Sequence, residues 1–570
     1  MRALRPLAVF ASTTDVPAAP PASAFPSATD RSGRPPRLTA RSFYLGLAGF
    51  CLAVGALSLL IPSTPSYDAW SWLLWAREIV HGHLVITTGG TSWKPLPMIF
   101  TIPFALLGNA APDLWLVVAR AGAVAAVVMV FRLAYRLTRE VGGLFGAPTA
   151  DLGKLTTVAP ALLAGVIGAV SLALSASGGF VSANALGYSE GFATALLLIA
   201  IERHLAGRPR QAFAVGFLVA LDRPEIWLFW GPYGLWLMWK DPGSRLMVMA
   251  SAVAVLAAWF IPVKLGCGSF GCSTSRALHP RSNSLAFASD PFTAELSKAA
   301  WPTMLLRIKV VAVLLVIAVT TILARTHRRG GTGALRTAES RARLAAALLG
   351  VGGLAWFVVI AVMTQIGFSG NNRYLVLGAA MVDICAAVGF GWAAGELAAL
   401  ATRRRAGTRR SGAATAIGGL PWVATGLVAL VFMFGPNWIG SNLISIPRTH
   451  GSLVYQAHLR QAMSRLVTRF GGERQVLACG SVMTEGFQVP MVAWTLGVPT
   501  TGIEAPPTNG GAAYAQPASD APHVVLQTRD TRSASLLPLL STWPSVHYHY
   551  VATAGPVHMF TRGCAGTATS

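Results

Sequence analysis

Apolar runs long enough to cross a bilayer recur along this chain from Phe43 nearly to Gly435. A helix needs about 20 apolar residues to span the roughly 30 Å of membrane hydrocarbon. With the basic residues between them taken as the boundaries, these runs predict about eleven membrane-spanning segments, or spans. They are residues 43–62, 113–135, 155–175, 190–204, 211–222, 225–239, 246–264, 307–324, 344–364, 374–395 and 415–435. The composition agrees, because 53% hydrophobic and 12% charged residues with a mean hydropathy of +0.54 are typical of a multi-pass membrane protein.

Lysine and arginine concentrate in alternate loops, and such residues stay on the cytoplasmic side of a membrane. The densest clusters occupy residues 325–343 and 403–410. When the predicted spans cross the membrane in alternating directions, both clusters fall on the same side as the N-terminus. The sequence therefore predicts a multi-pass protein of the cell membrane with a cytoplasmic N-terminus. The net charge of +23 then reflects topology and contact with membrane lipids of negative charge. A nucleic-acid partner is not expected.

Three domains follow from changes in composition. Residues 1–42 are rich in Pro, Ala, Ser and Arg without periodicity, which indicates a disordered cytoplasmic tail. Residues 43–435 form the membrane domain, with a first outer loop at 63–112. In residues 436–570, "RQVLACGSVMTEGFQVPMVAWTLGV" predicts a strand then a helix, "HVVLQTRD" a strand, and "VHYHYVATAGPVHMF" a hairpin. The expected fold class is mostly α: a polytopic helical membrane domain with a small extracytoplasmic α/β domain at the C-terminus.

Cysteine positions agree with this topology. Cys51 and Cys385 fall in spans and are interpreted as packing residues. The other four cysteines fall on the predicted outer side, where disulfides persist; they are Cys267, Cys272, Cys479 and Cys564. "CGSFGC" could close on itself and Cys479 could pair with Cys564, but four cysteines permit three pairings and all three stay open. No Cys and His spacing is typical of a zinc site.

The first outer loop begins with "YDAWSWLLWAREIVHGHL". Asp68, Trp72 and Trp75 share one helical face, which predicts a helix lying in the membrane interface. One interpretation is an aromatic membrane anchor with Asp68 as its N-cap; the other is a functional loop. In the "WKPLP" that follows, Lys94 could meet a phosphate or extend to the membrane surface. The prolines make the next apolar run short and broken.

The segment "ALDRPEIW" places Asp222, Arg223 and Glu225 about twelve residues beyond cytoplasmic Arg210, a rise of roughly 18 Å. That is well short of a crossing, so these charges are expected within the membrane, beside a proline break. Such backbone is tolerated where it lines a cavity, and intramembrane charges are candidates for a functional site. The alternative is a purely structural charge cluster.

Two more segments supply charges at predicted span ends. "ALGYSEGF" contains Glu190 and "SGNNRYLVLGAAM" contains Arg373. Taken singly, these are a solvated glutamate and a membrane-surface arginine. Together with Asp68, Lys94 and Arg223 they are predicted to converge on one outward cavity. Carboxylates beside fixed cations suit the deprotonation of an acceptor hydroxyl while an anionic phosphate leaving group is held.

These segments resemble the GT-C superfamily of integral membrane glycosyltransferases. The resemblance is carried by "YDAWSWLLWAREIVHGHL" with "WKPLP", by Glu190, and by "NNRYL", and it covers the organisation of about Phe43 to Leu400. In protein O-mannosyltransferases and aminoarabinose transferases, an acidic residue follows the first span on a juxtamembrane helix. A "KPPL"-like segment then enters the next helix.

The resemblance implies transfer of a sugar from a polyprenyl-phosphate-linked donor to a cell-envelope acceptor, which could be a glycan, a lipid or a protein, on the outer face of the membrane. It implies that Asp68 and Glu190 are catalytic and that Lys94 and Arg373 hold the donor phosphate; the burial argument adds Arg223. The residues expected to line the substrate cavity are Trp72, Trp93, Tyr188, Glu225 and Tyr374.

One departure from the superfamily pattern is Ala69, which stands where many members carry a second carboxylate. No metal site is assigned and no cofactor is certain, although a divalent cation stays open. The Ala, Gly and Arg content with the Trp-rich loop is typical of an actinobacterial cell-envelope enzyme, whose sugar could be mannose, arabinofuranose or another pentose.

Two alternatives compete with a glycosyltransferase. A secondary transporter or lipid flippase also has charges near the midplane and broken helices. Against it, no internal repeat relates the two halves, and the acidic residues cluster on one side. The third class is a non-catalytic envelope-assembly protein whose outer domain binds a glycan or a partner.

Overall fold

The computed structural model of the protein describes residues 40–86, 91–141, 154–174, 179–272, 280, 284–298, 313–314, 316–318, 320–321, 337–406, 444–506, 518–528, 540, 543 and 545–564. Its helices are α1 (Ala40–Leu57), α2 (Tyr67–Val80), α3 (Pro95–Ala105), α4 (Ala111–Val141), α5 (Lys154–Ala173), α6 (Phe180–Ala185), α7 (Glu190–Leu205), α8 (Pro209–Ala220), α9 (Trp227–Lys240), α10 (Arg245–Cys267), α11 (Pro291–Lys298), α12 (Ala338–Gln365), α13 (Val376–Ala406), α14 (Ile446–Arg469), α15 (Glu473–Ala478) and α16 (Val489–Thr495). The strands are β1 (Val482–Thr484), β2 (Ile503–Glu504), β3 (Val524–Thr528), β4 (His549–Ala554) and β5 (Val557–Thr561).

Long apolar helices dominate the first part of the chain. Within the described residues, five are long and apolar enough to cross a membrane by length and composition; they are Arg41–Leu60, Gly108–Val141, Pro242–Cys267, Ala338–Gln365 and Asn372–Ala398. On α10, Leu246, Val253 and Leu265 are 81%, 67% and 77% exposed. Such a contiguous apolar face is rare on a protein surface in water and suits contact with hydrocarbon. The chain is therefore a membrane protein of mostly helical fold.

Three predicted spans form shorter helices than expected. Spans 190–204, 211–222 and 225–239 correspond to α7, α8 and α9, with 16, 12 and 14 residues, below the roughly 20 needed for a crossing. Prolines explain two of the breaks: Arg208 and Arg223 precede Pro209 and Pro224 and leave the helical conformation. Span 155–175 corresponds to α5. The predicted tail up to residue 39, most of span 307–324 and span 415–435 lie outside the described residues.

The tryptophans of α2 face protein and not lipid. Trp70, Trp72 and Trp75 are at most 2% exposed. The Trp70 ring lies 5.8 Å from that of Trp494 in α16. The interpretation of α2 as an aromatic membrane anchor is therefore wrong. Trp72 and Trp75 pack on Trp115 and Trp93, whereas the partner of Trp70 lies more than 400 residues further along the chain, beyond the reach of any local pattern.

The C-terminal part of the chain forms a small α/β domain around one five-stranded sheet. The strand order is β2-β1-β3-β5-β4, with β1 parallel to both β2 and β3, and β5 antiparallel to both β3 and β4. Val482 pairs with Val524, and Val525 pairs with Phe560. The predicted strand-then-helix, strand and hairpin are β1 with α16, β3, and β4 with β5. The predicted fold class, a mostly α membrane domain with this appended α/β domain, is confirmed.

Two disulfides are formed. Cys267 is bonded to Cys272 across a Cα separation of 6.5 Å, and Cys479 to Cys564 across 5.8 Å. The first closes the short turn after α10. The second joins the segment before β1 to the end of β5, and so ties together the two ends of the sheet domain.

Arg77 fastens α2 to the C-terminal domain. Its guanidinium donates to the carbonyl oxygens of Trp494 at 2.9 Å, Val498 at 3.0 Å and Ala493 at 3.3 Å. These carbonyls belong to the C-terminal end of α16 and the turn after it, where Trp494 and Ala493 also accept the backbone amides of Gly497 and Val498. The same guanidinium lies 4.8 Å from the centre of the Trp494 ring. One side chain thus caps α16 and sets its position against α2.

We expect Arg77→Ala to loosen α16 from α2. Hydrogen bonds from a charged donor contribute about 1.5–3 kcal/mol each, and Ala leaves three carbonyls without this partner. Amide hydrogen exchange across Val489–Thr495 should accelerate by about tenfold or more. Arg465→Ala is the matched control, because within the described part of the chain the Arg465 side chain bonds only inside its own helix, to Gln461. Unchanged exchange in Arg77→Ala would show that apolar packing alone holds the domain.

Candidate active site

One cavity of about 520 Å³ is built from distant parts of the chain. Its wall includes the first turn of α2, the segment that enters α3, the proline break between α8 and α9, the loop from 368 to 374, and Phe487 of the C-terminal domain. The predicted site residues on this wall are Asp68, Lys94, Tyr188, Arg223, Glu225, Arg373 and Tyr374. The fold therefore gathers most of the predicted site at one place.

Asp68 lies in the first turn of α2 and is 8% exposed. Its Oδ2 is 2.6 Å from Nη1 of Arg373, and its Oδ1 is 3.5 Å from the Thr91 hydroxyl. Thr91 is in turn 2.9 Å from the Ser71 hydroxyl. The N-cap position belongs to Ser66, so the N-cap interpretation of Asp68 is wrong. The carboxylate faces the cavity, and each of its two oxygens has a partner that orients it.

Glu190 is the first residue of α7 and is fully buried. Arg223 Nη2 donates to its Oε1, Arg373 Nη1 lies 3.7 Å from the same oxygen, and Lys94 Nζ lies 3.8 Å from it. One carboxylate oxygen thus draws three cations together. Glu190 is not on the cavity wall, so its position suits holding those cations in place and not direct contact with a substrate.

Asp222 and Glu225 complete the cluster from the proline break. Asp222 is fully buried, and its Oδ2 lies 3.6 Å from Lys94 Nζ. Glu225 Oε1 lies 3.8 Å from Arg223 Nη1. Lys94 also donates to the Ser189 hydroxyl at 2.9 Å. The sequence predicts Asp222 as an intramembrane charge without a role at the site, whereas its contact with Lys94 places it there.

The signs of these charges limit what the cavity can bind. We define the charge cluster as Asp68, Lys94, Glu190, Asp222, Arg223, Glu225 and Arg373, in which carboxylates outnumber cations by one. Lys298, on the same cavity wall, restores the balance. An entering anion must therefore compete with a carboxylate for its cation. Among the ion pairs on the described cavity wall, Asp68 with Arg373 has the shortest separation, 2.6 Å, and the most exposed side chains, so it is the pair that an entering anion would exchange.

Aromatic rings cover the cations. The Tyr188 ring lies 4.3 Å from the Arg373 guanidinium, and the Tyr374 ring 4.9 Å from that of Arg223, within the range of cation–π attraction. Burial raises the pKa of Tyr188 to about 12, so its phenol stays neutral. Trp72 and Trp93 are buried behind the wall. Trp72 supports the Lys94 ammonium from 5.3 Å.

Sequence reasoning missed several parts of the wall, including Lys298, the loop residues 368–371 and Phe487. No local signal marks them, because each reaches the cavity only through tertiary packing. Within the described residues, no three His, Cys, Asp or Glu side chains are placed to hold a metal ion. The carboxylates of the charge cluster alternate with cations, which disfavours a divalent cation among them. The sequence leaves a divalent cation open, and chelation with EDTA tests it.

Glu295 of α11 lies behind the cavity loop. It is fully buried, and within the described residues neither of its carboxylate oxygens accepts a hydrogen bond. It packs against Gly370, where a Cβ would collide with Oε2. Burial raises the pKa of Glu295 to about 7, with a smaller opposing effect of Lys298. Below about pH 7 the folded protein thus favours the protonated, uncharged form.

Because its pKa is raised in the folded state, Glu295 contributes stability below its ordinary pKa, and that contribution is lost as the pH rises through about 7. We expect the apparent Tm of the wild type to fall between pH 5 and pH 8 more than that of Glu295→Gln. The difference corresponds to roughly 2–3 kcal/mol. Glu339→Gln, a change at a more exposed carboxylate, is the control. Parallel pH profiles for wild type and Glu295→Gln would contradict a buried proton at this site.

No family model matches the chain, and no curated protein matches it. In chain arrangement the protein is similar to the crystal structure of ArnT from Cupriavidus metallidurans bound to undecaprenyl phosphate. The two are 12% identical with a TM-score of 0.45, over 92% of this chain and 98% of that chain. The apo form of that protein gives 13% identity and a TM-score of 0.43 over 91% and 98%.

The archaeal oligosaccharyltransferase AglB from Archaeoglobus fulgidus, in complex with an inhibitory peptide and a dolichol-phosphate, is also similar. It is 13% identical with a TM-score of 0.40, over 86% of this chain and 69% of that chain. TM-scores below 0.5 do not establish a common function. The chemistry of the cavity therefore has to be derived from its own residues.

Proposed function

We propose that this protein is a membrane glycosyltransferase of the GT-C kind, which transfers a sugar from a polyprenyl-phosphate-linked donor to an acceptor hydroxyl. The observation that carries the proposal is the placement of Asp68 on the same cavity wall as Lys94, Arg223 and Arg373, with Arg373 in contact with Asp68. A base and a set of phosphate-binding cations are the two elements this reaction requires.

In the proposed reaction, the acceptor oxygen attacks the anomeric carbon and forms the new glycosidic bond. The bond between the anomeric carbon and the phosphate oxygen breaks, through a transition state of oxocarbenium character. Asp68 takes the proton of the acceptor hydroxyl. The phosphate leaves as an anion stabilised by the cations, so no acid is needed to protonate it.

The ion pair between Asp68 and Arg373 gives the reaction an order. While Arg373 pairs with Asp68, the guanidinium occupies Oδ2 of the carboxylate, at 2.6 Å, and blocks it from an acceptor hydroxyl. A donor phosphate that draws Arg373 toward itself releases Asp68 for the acceptor proton. Glu190 keeps the remaining cations in position during this exchange, since its Oε1 contacts Arg223 and Lys94 directly.

The proposal extends to topology and substrates. The basic clusters of the sequence support a cytoplasmic N-terminus, which would place the cavity and the C-terminal domain on the outer face of the cell membrane. The acceptor would then be a cell-envelope glycan, lipid or protein, and the sugar a hexose or a pentose. A divalent cation, if one takes part, would act from outside the charge cluster.

The test uses the purified protein in lipid nanodiscs with radiolabelled polyprenyl-phosphate sugars and a set of envelope glycans, with and without EDTA. We expect a labelled glycosidic product and release of polyprenyl phosphate in equal amounts, with no loss of activity in EDTA. Movement of label across sealed vesicles without a new bond would instead identify a transporter or flippase. Absence of both, with intact glycan binding, would favour a non-catalytic assembly protein.

A further inference from the structure

The C-terminal domain contributes a side chain to the cavity of the membrane domain. Phe487, in the loop between β1 and α16, lines the cavity and is 51% exposed. Its ring lies 5.7 Å from the Tyr67 ring, at an interplanar angle of 84°. Tyr67 is on the same wall and directly precedes Asp68 in the first turn of α2. Two aromatic rings thus stand beside the proposed base.

Hydrogen bonds of the nearby residue Glu485 hold the loop that carries Phe487 in place. The buried Glu485 carboxylate accepts hydrogen bonds from the Thr528 amide at 2.8 Å and the Thr528 hydroxyl at 2.6 Å, and a third from the Gln488 side chain. These bonds join the end of β1 to the end of the neighbouring parallel strand β3. The Phe487 ring is therefore held by rigid strand ends, as a precise binding site requires.

A half-exposed aromatic ring in a polar cavity buries less apolar surface than a ring in the core, and so contributes less to stability. The core of this domain shows the contrast, because Val524, Leu526 and Val557 of its strands are fully buried. Phe487 is therefore placed where a ligand could cover it. The cations already account for the phosphate of the donor, so the ligand beside Tyr67 and Asp68 is the group whose hydroxyl Asp68 deprotonates.

A sugar ring suits this position. One face of a pyranose or furanose presents C–H groups that pack on the electron-rich face of an aromatic ring, while its hydroxyls point sideways toward polar partners. Here the side partners would be Asp68 and the cavity loop residues Asn371 and Asn372. A lipid acceptor would need a continuous apolar channel, whereas this part of the wall mixes aromatic and polar side chains.

We propose that Phe487 and Tyr67 form the acceptor subsite for a carbohydrate ring, so that the C-terminal domain selects a glycan acceptor. This inference rests on the proposed function and adds the acceptor class and the residues that recognise it. Phe487 acts as a specificity-determining residue, and Glu485 acts through it as a positioning residue.

The kinetic test compares Phe487→Ala and Phe487→Tyr with the wild type in nanodiscs. We expect Phe487→Ala to raise the KM for the glycan acceptor about tenfold. The KM for the donor should stay within about twofold, because the cations that hold the donor phosphate are not changed. Phe487→Tyr keeps the ring and should retain most of the acceptor affinity. Tyr550→Ala is the control, because Tyr550 is an exposed aromatic on β4, away from the cavity wall.

Three results would overturn the inference while leaving the proposed function intact: an unchanged acceptor KM in Phe487→Ala, an equal rise in donor KM, or no recovery in Phe487→Tyr. A wild type without transferase activity would contradict the proposed function instead. Binding then decides the subsite separately, by saturation-transfer NMR with methyl glycosides of common hexoses and pentoses. Contacts seen with wild type and lost in Phe487→Ala support the subsite, and contacts absent from wild type or equal in both proteins overturn it.

Discussion

Asp68→Asn is expected to lower kcat by about 10²- to 10⁴-fold, the usual contribution of a positioned general base. The amide keeps the size of the carboxylate but cannot take a proton. The substitution also removes the anion that pairs with Arg373 at 2.6 Å. Binding of polyprenyl phosphate should therefore be retained or become tighter, because Arg373 no longer has to leave a carboxylate in order to bind the phosphate.

Turnover and polyprenyl-phosphate affinity are measured on the same nanodisc preparations, so that loss of folding and loss of chemistry are separated. Asp113→Asn is the matched control, because Asp113 is an exposed carboxylate in the first turn of α4, 4.0 Å from Arg460. Full turnover in Asp68→Asn would refute the base assignment. Weaker polyprenyl-phosphate binding would refute the exchange of Arg373 between Asp68 and the phosphate.

Arg223→Met is expected to lower the free energy of unfolding by about 3–5 kcal/mol, the effect of removing one partner from a buried ion pair. Arg223 is 2% exposed. Its guanidinium contacts Glu190 and lies 3.8 Å from both Asp222 and Glu225. Methionine fills a similar volume, but it would leave three buried carboxylates with only Lys94 and Arg373 as cations. The protein should lose both stability and phosphate binding.

Thermal unfolding in detergent, followed by the near-UV signal of the buried tryptophans, measures this loss. Arg223→Lys should recover part of the stability, since it restores the charge but not the planar fork of donors. Arg210→Met is the control: its ion pair with Asp241 is largely exposed, and such pairs contribute about 0–1 kcal/mol. A Tm for Arg223→Met equal to that of the control would show that the charge cluster does not depend on Arg223.

Much of the fold follows from local pattern. Apolar length predicts the helices α1, α4, α10, α12 and α13, because only a helix satisfies its backbone in hydrocarbon. Period-two patterning predicts β3 and the β4–β5 hairpin, with Gly555 at a φ of +51° in the turn. The helices α7, α8 and α9 are shorter than expected. Their apolar character continues through prolines that interrupt the helix, and hydropathy alone does not register such a break.

The candidate site, too, follows in part from the sequence and in part from the tertiary structure. Intramembrane charges are costly, and on that ground the sequence predicts Arg223 and Glu225 as site residues. The loop and span-end motifs predict Asp68, Lys94, Glu190 and Arg373, whereas no such argument selects Asp222 or Lys298. The different positions of the two acidic residues Asp68 and Glu190 follow only from the tertiary structure. The sequence treats Asp68 and Glu190 alike, whereas the structure puts Asp68 on the cavity wall and Glu190 behind it, among three cations.

The sequence by itself determined a multi-helical membrane domain with an appended α/β domain, and the chemical types gathered at its site, because hydrophobicity, helix length and the cost of buried charge act locally along the chain. Only the tertiary structure decided that the tryptophans of α2 pack against protein, that Arg77 holds α16, and that Phe487 enters the cavity. The contacts of Trp70, Arg77 and Phe487 join residues more than 400 positions apart. Their energies come from packing and hydrogen bonds formed after the chain has folded, so no local pattern encodes them.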